Sequence, residues 1–346
     1  MVALRHAITI ALKDIVAGKK ITFIQGEVVA LDQKNKKIIL RGKSPLHYEF
    51  LIFALGAETN YFNIPGLQEN SLPLKTFSDG VVLRNRIEKL IAEKMGIVRI
   101  VIGGGGATGI ELAAEFMTFL CRLQKIYKKE AVCAIEVSII EASGEILPGF
   151  SQWVTKKARE RLEKIGVFIK TNTLIVSVTS GEIQTRGEAI PYDLLIWAGG
   201  ISGPRILENF SLPLNKKGQI EVNKYLEASE RIFAIGDNAS FLDNAEKPLP
   251  SNIPIAEREG RMTSKNIVRI IRKKEKKPYR AQNHYPYILT VGQKYAIADL
   301  VVVRFAGFFG LLAKQLVELR YLLFILPPHK AIPMWLYTIK IYSSND

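Results

Sequence analysis

The stretch that most constrains this chain is Arg99-Ile-Val-Ile-Gly-Gly-Gly-Gly-Ala-Thr-Gly-Ile-Glu111. An apolar run, Ile100 to Ile102, leads into Gly104-x-Gly106-x-x-Gly109, and Ile110, Leu112, Ala113, Phe116 and Phe119 follow at helical spacing. The order is strand, tight turn, helix, the setting that raises a bare glycine triplet above chance. Gly104 suits the turn, Gly106 lets backbone approach a pyrophosphate, and Gly109 lets the helix pack close to the strand. Such a helix start offers free N–H groups and the positive end of its dipole to phosphate. The competing reading is a glycine-rich turn before an ordinary core helix.

The flanks alternate strand and helix, as an α/β fold requires. Residues 2–16 carry Leu4, Ile8, Leu12 and Ile15 at helical spacing, and Gly18 ends the pattern. Short strands are expected at Ile21–Ile24, Val28–Leu31 and Lys37–Leu40. Glu49 to Leu55 is a near-continuous apolar run that exits at Gly56, as a buried parallel strand does. Leu83, Ile87, Leu90 and Ile91 mark a helix. Beyond the glycine turn, the strand Ile135–Ile140 ends in Glu141. An acid there hydrogen-bonds the ribose hydroxyls of a dinucleotide and disfavours a 2′-phosphate, which selects NADH over NADPH. The gap from fingerprint to acid is about 30 residues, lengthened by Gln124–Val132; about 20 is usual. A plain strand-end carboxylate is the other reading.

Ser151 is placed to cap a helix carrying Trp153, Val154, Ala158, Leu162 and Ile165, ended by Gly166. Strand Val167–Ile169 and a small antiparallel pair, Leu174–Val178 with Glu182–Thr185, come next. Leu194–Trp197 is another buried strand, running into Gly199 and Gly200. A second strand with a Gly–acid exit is Arg231 to Asp237, ending in Gly236-Asp237. Pro254 to Ile271 reads as a helix whose end is basic, with Arg269, Arg272, Lys273, Lys274, Lys276, Lys277 and Arg280. Such a run is either a solvated face or a surface for membrane phosphate. In the tail, Phe308, Phe309, Leu312, Leu316, Leu319, Leu323 and Leu326 share one helical face, with Lys314, Glu318 and Tyr321 opposite and Pro327-Pro328 as the stop. A further segment carries Trp335, Tyr337 and Tyr342 with Lys330 and Lys340. Such helices lie in a membrane interface or pack on a core or a second subunit.

Composition narrows the function classes. The 346 residues suffice for two or three domains, and 48 basic against 33 acidic residues give a formal charge of +15. That excess suits nucleic acid or an anionic membrane surface, but no nucleic-acid module is recognisable. The two cysteines, Cys121 and Cys133, form no CxxC and no cluster with the four histidines, so dithiol and metal chemistry are not expected. No uncharged apolar run is long enough to span a bilayer.

Taken in order, these motifs resemble the type II, non-proton-pumping NADH:quinone oxidoreductases, flavoproteins with two dinucleotide-binding domains. Tyr48-Glu-Phe-Leu-Ile-Phe-Ala-Leu-Gly56 with Ile64-Pro65-Gly66 is similar to the family's second FAD-contacting strand, with Ala54 and Gly56 in its ATG-like triplet. Gly104 to Glu111 is similar to the NADH fingerprint, Tyr192 to Gly200 to the strand returning to the flavin domain, and Ala234-Ile-Gly236-Asp237 to the flavin-phosphate and ribityl motif. The tail from Val291-Gly-Gln-Lys-Tyr-Ala-Ile-Ala298 onward resembles the membrane-anchoring C-terminus.

The resemblance implies two Rossmann-like (FAD/NAD(P)-binding) domains, the first N-terminally truncated, and a C-terminal amphipathic helical membrane-anchoring segment. Its divisions fall at 1–95, 96–204, 205–282 and 283–346. It implies FAD and NADH as cofactors, a quinone acceptor, a peripheral site on the cytoplasmic face of a membrane, and allows a homodimer. Glu111 is placed near nicotinamide and flavin as a proton relay; its plain reading is a helix-start carboxylate favoured by the dipole. Lys294 is placed at the flavin or quinone pocket. Three departures accompany the likeness. The family's opening strand–GxGxxG–helix unit for the ADP half of FAD is not in the sequence. The triplet Ala54-Leu55-Gly56 lacks its threonine. The quinone-site helix, Ile253-Pro-Ile-Ala256-Glu-Arg258-Glu-Gly260, lacks both glutamines and offers Ala256 and a charged Arg258 instead. The alternatives are a related flavoprotein with another acceptor, or a catalytically inert NAD(H)-binding fragment without FAD.

Overall fold

The computed structural model describes residues 9–94, 96–128, 134–243, 246–282, 285–292 and 294–345. Six helices matter here: α1 Phe77–Glu93, α2 Ala107–Lys128, α3 Gln152–Lys164, α4 Ile253–Ile271, α5 Phe308–Ile325 and α6 Pro328–Asn345. The chain divides into two units. One comprises residues 1–23, 61–199 and 284–346, the other 24–60 and 200–283.

The first unit is built on a parallel sheet of β1 Leu72–Pro73, β2 Val98–Gly103, β3 Ile135–Ile140, β4 Phe168–Lys170 and β5 Leu194–Trp197, in the order β1-β5-β2-β3-β4. β2 is buried on both faces from Ile100 to Gly103 and reads there as an apolar run, whereas β3 alternates buried Ile135, Val137 and Ile139 with half-buried Glu136 and Ser138. Leu83, Ile87 and Ile91 of α1, Ile110, Ala113 and Ala114 of α2, and Val154, Ala158 and Leu162 of α3 fill one core with Ile100, Ile102, Val137 and Ile139. Residues 61–94 therefore lie with the glycine-turn unit, because the apolar stripe of α1 is spent on its core. α1 starts where Thr76 and Asp79 form a reciprocal capping box. An antiparallel hairpin, Ile175–Thr179 with Glu182–Thr185, matches the expected crossover within a residue.

A second, antiparallel sheet in this unit comprises β6 Tyr287–Thr290, β7 Ala296–Asp299 and β8 Arg304–Gly307, and it carries α5. Gly310 sits so tightly on β7 that a Cβ there would come within 2.1 Å of the Ala296 carbonyl oxygen. The apolar face of α5 is exposed at Phe308, Phe309, Leu312, Leu316 and Leu323, joined by Val317 and Phe324. Leu326 departs from that face: it lies just past the helix end and is buried. α5 is thus turned with Lys314 and Glu318 toward the protein, Lys314 pairing with Glu111, while Arg320 stays exposed. No helix among the described residues is long and apolar enough to cross a membrane.

In the second unit, the run Glu49–Leu55 narrows to the strand Leu51–Phe53, which is parallel as expected and pairs with Ile232–Ala234. It ends early because the Leu55 N–H turns to the side chain of Asn238 at 2.7 Å. Ile52 and Leu55 are exposed, so the run is not buried throughout. Ile21–Ile24 forms no strand: Ile21, Phe23 and Ile24 are all exposed, and they join no ladder among the described residues. The first part of the expected opening helix lies outside the described residues, and Leu12–Val16 is its helical remainder.

Candidate functional site: a glycine turn and a Gly-Asp turn

The glycine turn lies at the C-terminal ends of β2, β3 and β5, where ligands of open parallel sheets bind. Gly104 takes φ +112°, and its N–H donates to the Ile140 carbonyl at 2.8 Å. A Cβ on Gly104 would meet the Gly199 Cα at 2.5 Å, so the exit of β5 and the glycine turn are pressed backbone to backbone. A Cβ on Gly199 itself would lie 2.4 Å from the Trp197 ring. A Cβ on Gly109 would lie 2.0 Å from the Gly104 carbonyl oxygen, which is the close helix–strand approach the fingerprint requires. Around Gly106 there is open space within 4 Å. The three glycines therefore divide as their spacing implies: two are closed by protein and one, Gly106, borders an open cradle at the start of α2. That cradle fits a pyrophosphate.

Glu141 stands at the end of β3 beside this turn. Its Oε2 accepts the Gly105 N–H at 2.7 Å, and its Oε1 accepts the Ser143 N–H at 2.8 Å and the Ser143 hydroxyl at 2.7 Å. These bonds fix the carboxylate, and an ionised carboxylate retains further lone pairs for ribose hydroxyls.

Glu111 is tied to the tail. Its Oε1 accepts the Thr290 N–H at 3.0 Å, the Thr290 hydroxyl at 2.7 Å and the Lys314 ammonium at 3.1 Å. Lys314 also donates to Thr290 Oγ1 at 3.1 Å. Glu318, one turn along α5, is pushed above the usual carboxylate range by burial, against the pull of Lys314 and with the repulsion of Glu111. Thr290 and Lys314 join the candidate Glu111, and the motifs did not point to them. The signal for Lys314 was its place on the polar side of an otherwise apolar wheel. Lys294 lies exposed in the turn between β6 and β7.

In the second unit, Gly236 takes φ +71° in a short turn, Gly236–Asn238, directly after the strand Ile232–Ala234. Asn238 is fully buried and bonds both Leu55 N and the Phe53 carbonyl, so it locks the two parallel strand ends together. The first turn of α4, capped by Asn252 on the Ile255 N–H at 3.0 Å, abuts this turn through Ala256, 3.4 Å from the position of a Gly236 Cβ. An acid, a glycine turn and a helix start at the ends of parallel strands suit the ribityl and phosphate end of a flavin. Ala54 is exposed, and Gly56 has φ +72° with open space around it. The Gly200 carbonyl accepts Asn60 N–H at 3.1 Å. Arg258 donates to the Arg280 carbonyl at 3.3 Å, so its guanidinium is held by this unit's own backbone. The basic run at and beyond the end of α4 is partly tied down as well, with Lys276 paired to Glu227 and Arg269 donating to the Glu275 carbonyl.

Residues 5–260 match the family described as pyridine nucleotide-disulphide oxidoreductase, about three quarters of the chain. The chain belongs to that family. The resemblance to type II NADH:quinone oxidoreductases is also borne out. Demethylphylloquinone reductase of Synechocystis sp. is 28% identical over 316 residues, which cover 88% of this chain and 75% of that protein. The type II NADH:quinone oxidoreductase of Staphylococcus saprophyticus is 27% identical over 274 residues, 75% of this chain and 67% of that one. Against several plant mitochondrial relatives the chain spans less than half of their length. The structure of NDH2 from Plasmodium falciparum in complex with NADH shares the fold, with TM-score 0.80 at 21% identity over 92% of this chain and 83% of that one.

Proposed function

We propose that this chain is an FAD-dependent NADH:quinone oxidoreductase that works at a membrane surface. The observation that carries the reading is the division of labour in the glycine turn, with Gly106 facing open space beside Glu141 while Gly104 and Gly109 are closed by protein. The names of the relatives supply the acceptor class. When bound, FAD would supply the redox chemistry, accepting hydride from NADH and passing electrons to a quinone.

The protein's own groups bind, orient and move protons. The N–H groups at the start of α2 meet the NADH pyrophosphate at Gly106, and Glu141 takes the ribose hydroxyls. Gly236, Asp237 and the first turn of α4, with Ala54 and Gly56, hold the flavin end. Glu111 keeps a carboxylate beside the NADH turn, its Oε1 connected to Lys314 and Thr290, from which a proton can pass toward the site. Ala256, Arg258 and Lys294 are assigned to the acceptor side by the resemblance alone.

The test is direct. The purified protein should show the visible absorbance of bound flavin, bleach with NADH under anaerobic conditions and recover colour with a soluble quinone. A colourless protein that binds NADH would instead support an NAD(H)-binding fragment. Replacing Glu141 with Ala should raise the efficiency with NADPH relative to NADH about tenfold, since one carboxylate no longer repels the 2′-phosphate. An unchanged ratio removes its ribose role.

Membrane attachment is assigned to the exposed apolar face of α5. Replacing Phe308, Phe309, Leu312 and Leu316 with Ser should abolish co-sedimentation with anionic vesicles while flavin content stays constant. Undiminished sedimentation places the anchor elsewhere. The cytoplasmic face and a homodimer belong to the same proposal.

A further inference from the structure

The Gly236–Asp237 turn is gripped from behind by a carboxyl group to which no role has been given. Glu259, on the second turn of α4, is 3% exposed, and its Oε2 accepts the Gly236 N–H at 2.6 Å. The neighbouring recess, about 10 Å³, has room for one water and is walled by Asp237, Ser251 and Asn252 among others. Among the described residues lining it, Asp237 is the one ionisable group that faces Glu259. The charged neighbours on α4 are engaged elsewhere: Arg261 pairs with Glu257 at 2.6 Å, and Arg258 donates to the Arg280 carbonyl. Thr263, one turn further along α4, is neutral and fully buried. Two acids are thus held together at a turn where an anionic ligand is expected.

Resting on the flavin reading above, we propose that Glu259 is a positioning residue for the anionic end of FAD. It sets the Gly236–Asp237 turn through the Gly236 amide and takes up one proton from solvent as the flavin phosphate settles beside Asp237. The physical reason is charge. A phosphate brought next to two carboxylates away from water adds repulsion that protonation of one of them relieves. The step is carboxylate plus proton to carboxylic acid, with no other bond made or broken. The neutral acid keeps a carbonyl oxygen to accept the Gly236 N–H, so the turn is held in both states. Burial, with a smaller push from Asp237 and against the Gly236 N–H, already brings the Glu259 carboxyl up to about 7. The proton is therefore available near neutrality.

Two measurements test this, neither of them turnover. The first is flavin affinity of the flavin-stripped full chain, followed by quenching of flavin fluorescence from about pH 6 to about pH 8.5. Affinity should fall about tenfold per pH unit above the midpoint, the slope for one proton, and E259Q should bind with no such slope. The second is the Gly236 amide resonance in the nitrogen-15-labelled protein, which should titrate in the wild type and stay flat in E259Q. Equal flavin affinity across the range, or the same slope in E259Q, overturns the proposal while leaving flavin binding intact. Failure to bind flavin at every pH overturns the flavin reading and this proposal together. A Gly236 amide that does not titrate removes Glu259 from the turn without reference to flavin.

Discussion

Gly106→Val should leave the fold intact and abolish NADH binding. The position has no left-handed backbone requirement, and a Cβ built on it meets nothing within 4 Å, so the protein itself has no objection to a side chain there. The dinucleotide does: a branched side chain occupies the space where pyrophosphate must approach backbone N–H groups. NADH affinity, read from the quenching or enhancement of nicotinamide fluorescence, is expected to fall at least about a hundredfold, or ~3 kcal/mol. The thermal midpoint should stay close to the wild type. Gly109→Ala makes the contrast, because its Cβ would lie 2.0 Å from the Gly104 carbonyl oxygen and must disturb the turn before any ligand arrives. Wild-type NADH affinity in the Gly106→Val variant would show that the nucleotide lies elsewhere.

The second large effect is on stability. Burial lifts the Glu259 carboxyl from its ordinary 4.5 up to about 7. The folded state thus binds this proton more tightly than the unfolded chain does. The stability it contributes is fully present below about 4.5 and is lost as pH rises through about 7. Across that window the folded state gives up ~3 kcal/mol from this one group. Glu259→Gln removes the titration and keeps an acceptor for the Gly236 N–H. Urea midpoints should coincide for the two proteins near about pH 5, and the variant should be the more stable near about pH 8. Parallel pH dependences in the two proteins would sink this account of Glu259.

Much of the first unit was legible because its signals are local. The glycine spacing, the apolar run of β2, the alternation of β3 and the stripe of α1 are each set by neighbours in sequence, and the structure uses them as their periods imply. The strand pair of the second unit was legible for the same reason, from apolar runs ending at Gly56 and Gly236. What stayed hidden depends on partners far along the chain. Ile21–Ile24 has the composition of a strand but joins no sheet edge among the described residues. Gly199 reads from sequence as a cofactor-binding glycine at a strand exit, and its lack of room for a side chain appears only once the Trp197 ring is placed, 2.4 Å from where a Gly199 Cβ would lie. Lys314 and Glu111 are separated by 203 positions, so no spacing rule joins them. Glu259 looked like one more charge on a helix with two neighbouring charges, and only its burial sets it apart.

The orientation of α5 has a practical consequence for handling the protein. The helix carries three charged residues, and it commits Lys314 to Glu111 and half-buries Glu318, leaving Arg320 to face solvent among exposed phenylalanines and leucines. A net charge of +15 would ordinarily keep copies apart in dilute buffer. Here that repulsion is spread over the whole chain, whereas the attraction is concentrated on one bare face. Without detergent or lipid, self-association through this helix will set the upper limit on concentration. Salt added to quiet the charge will lower that limit.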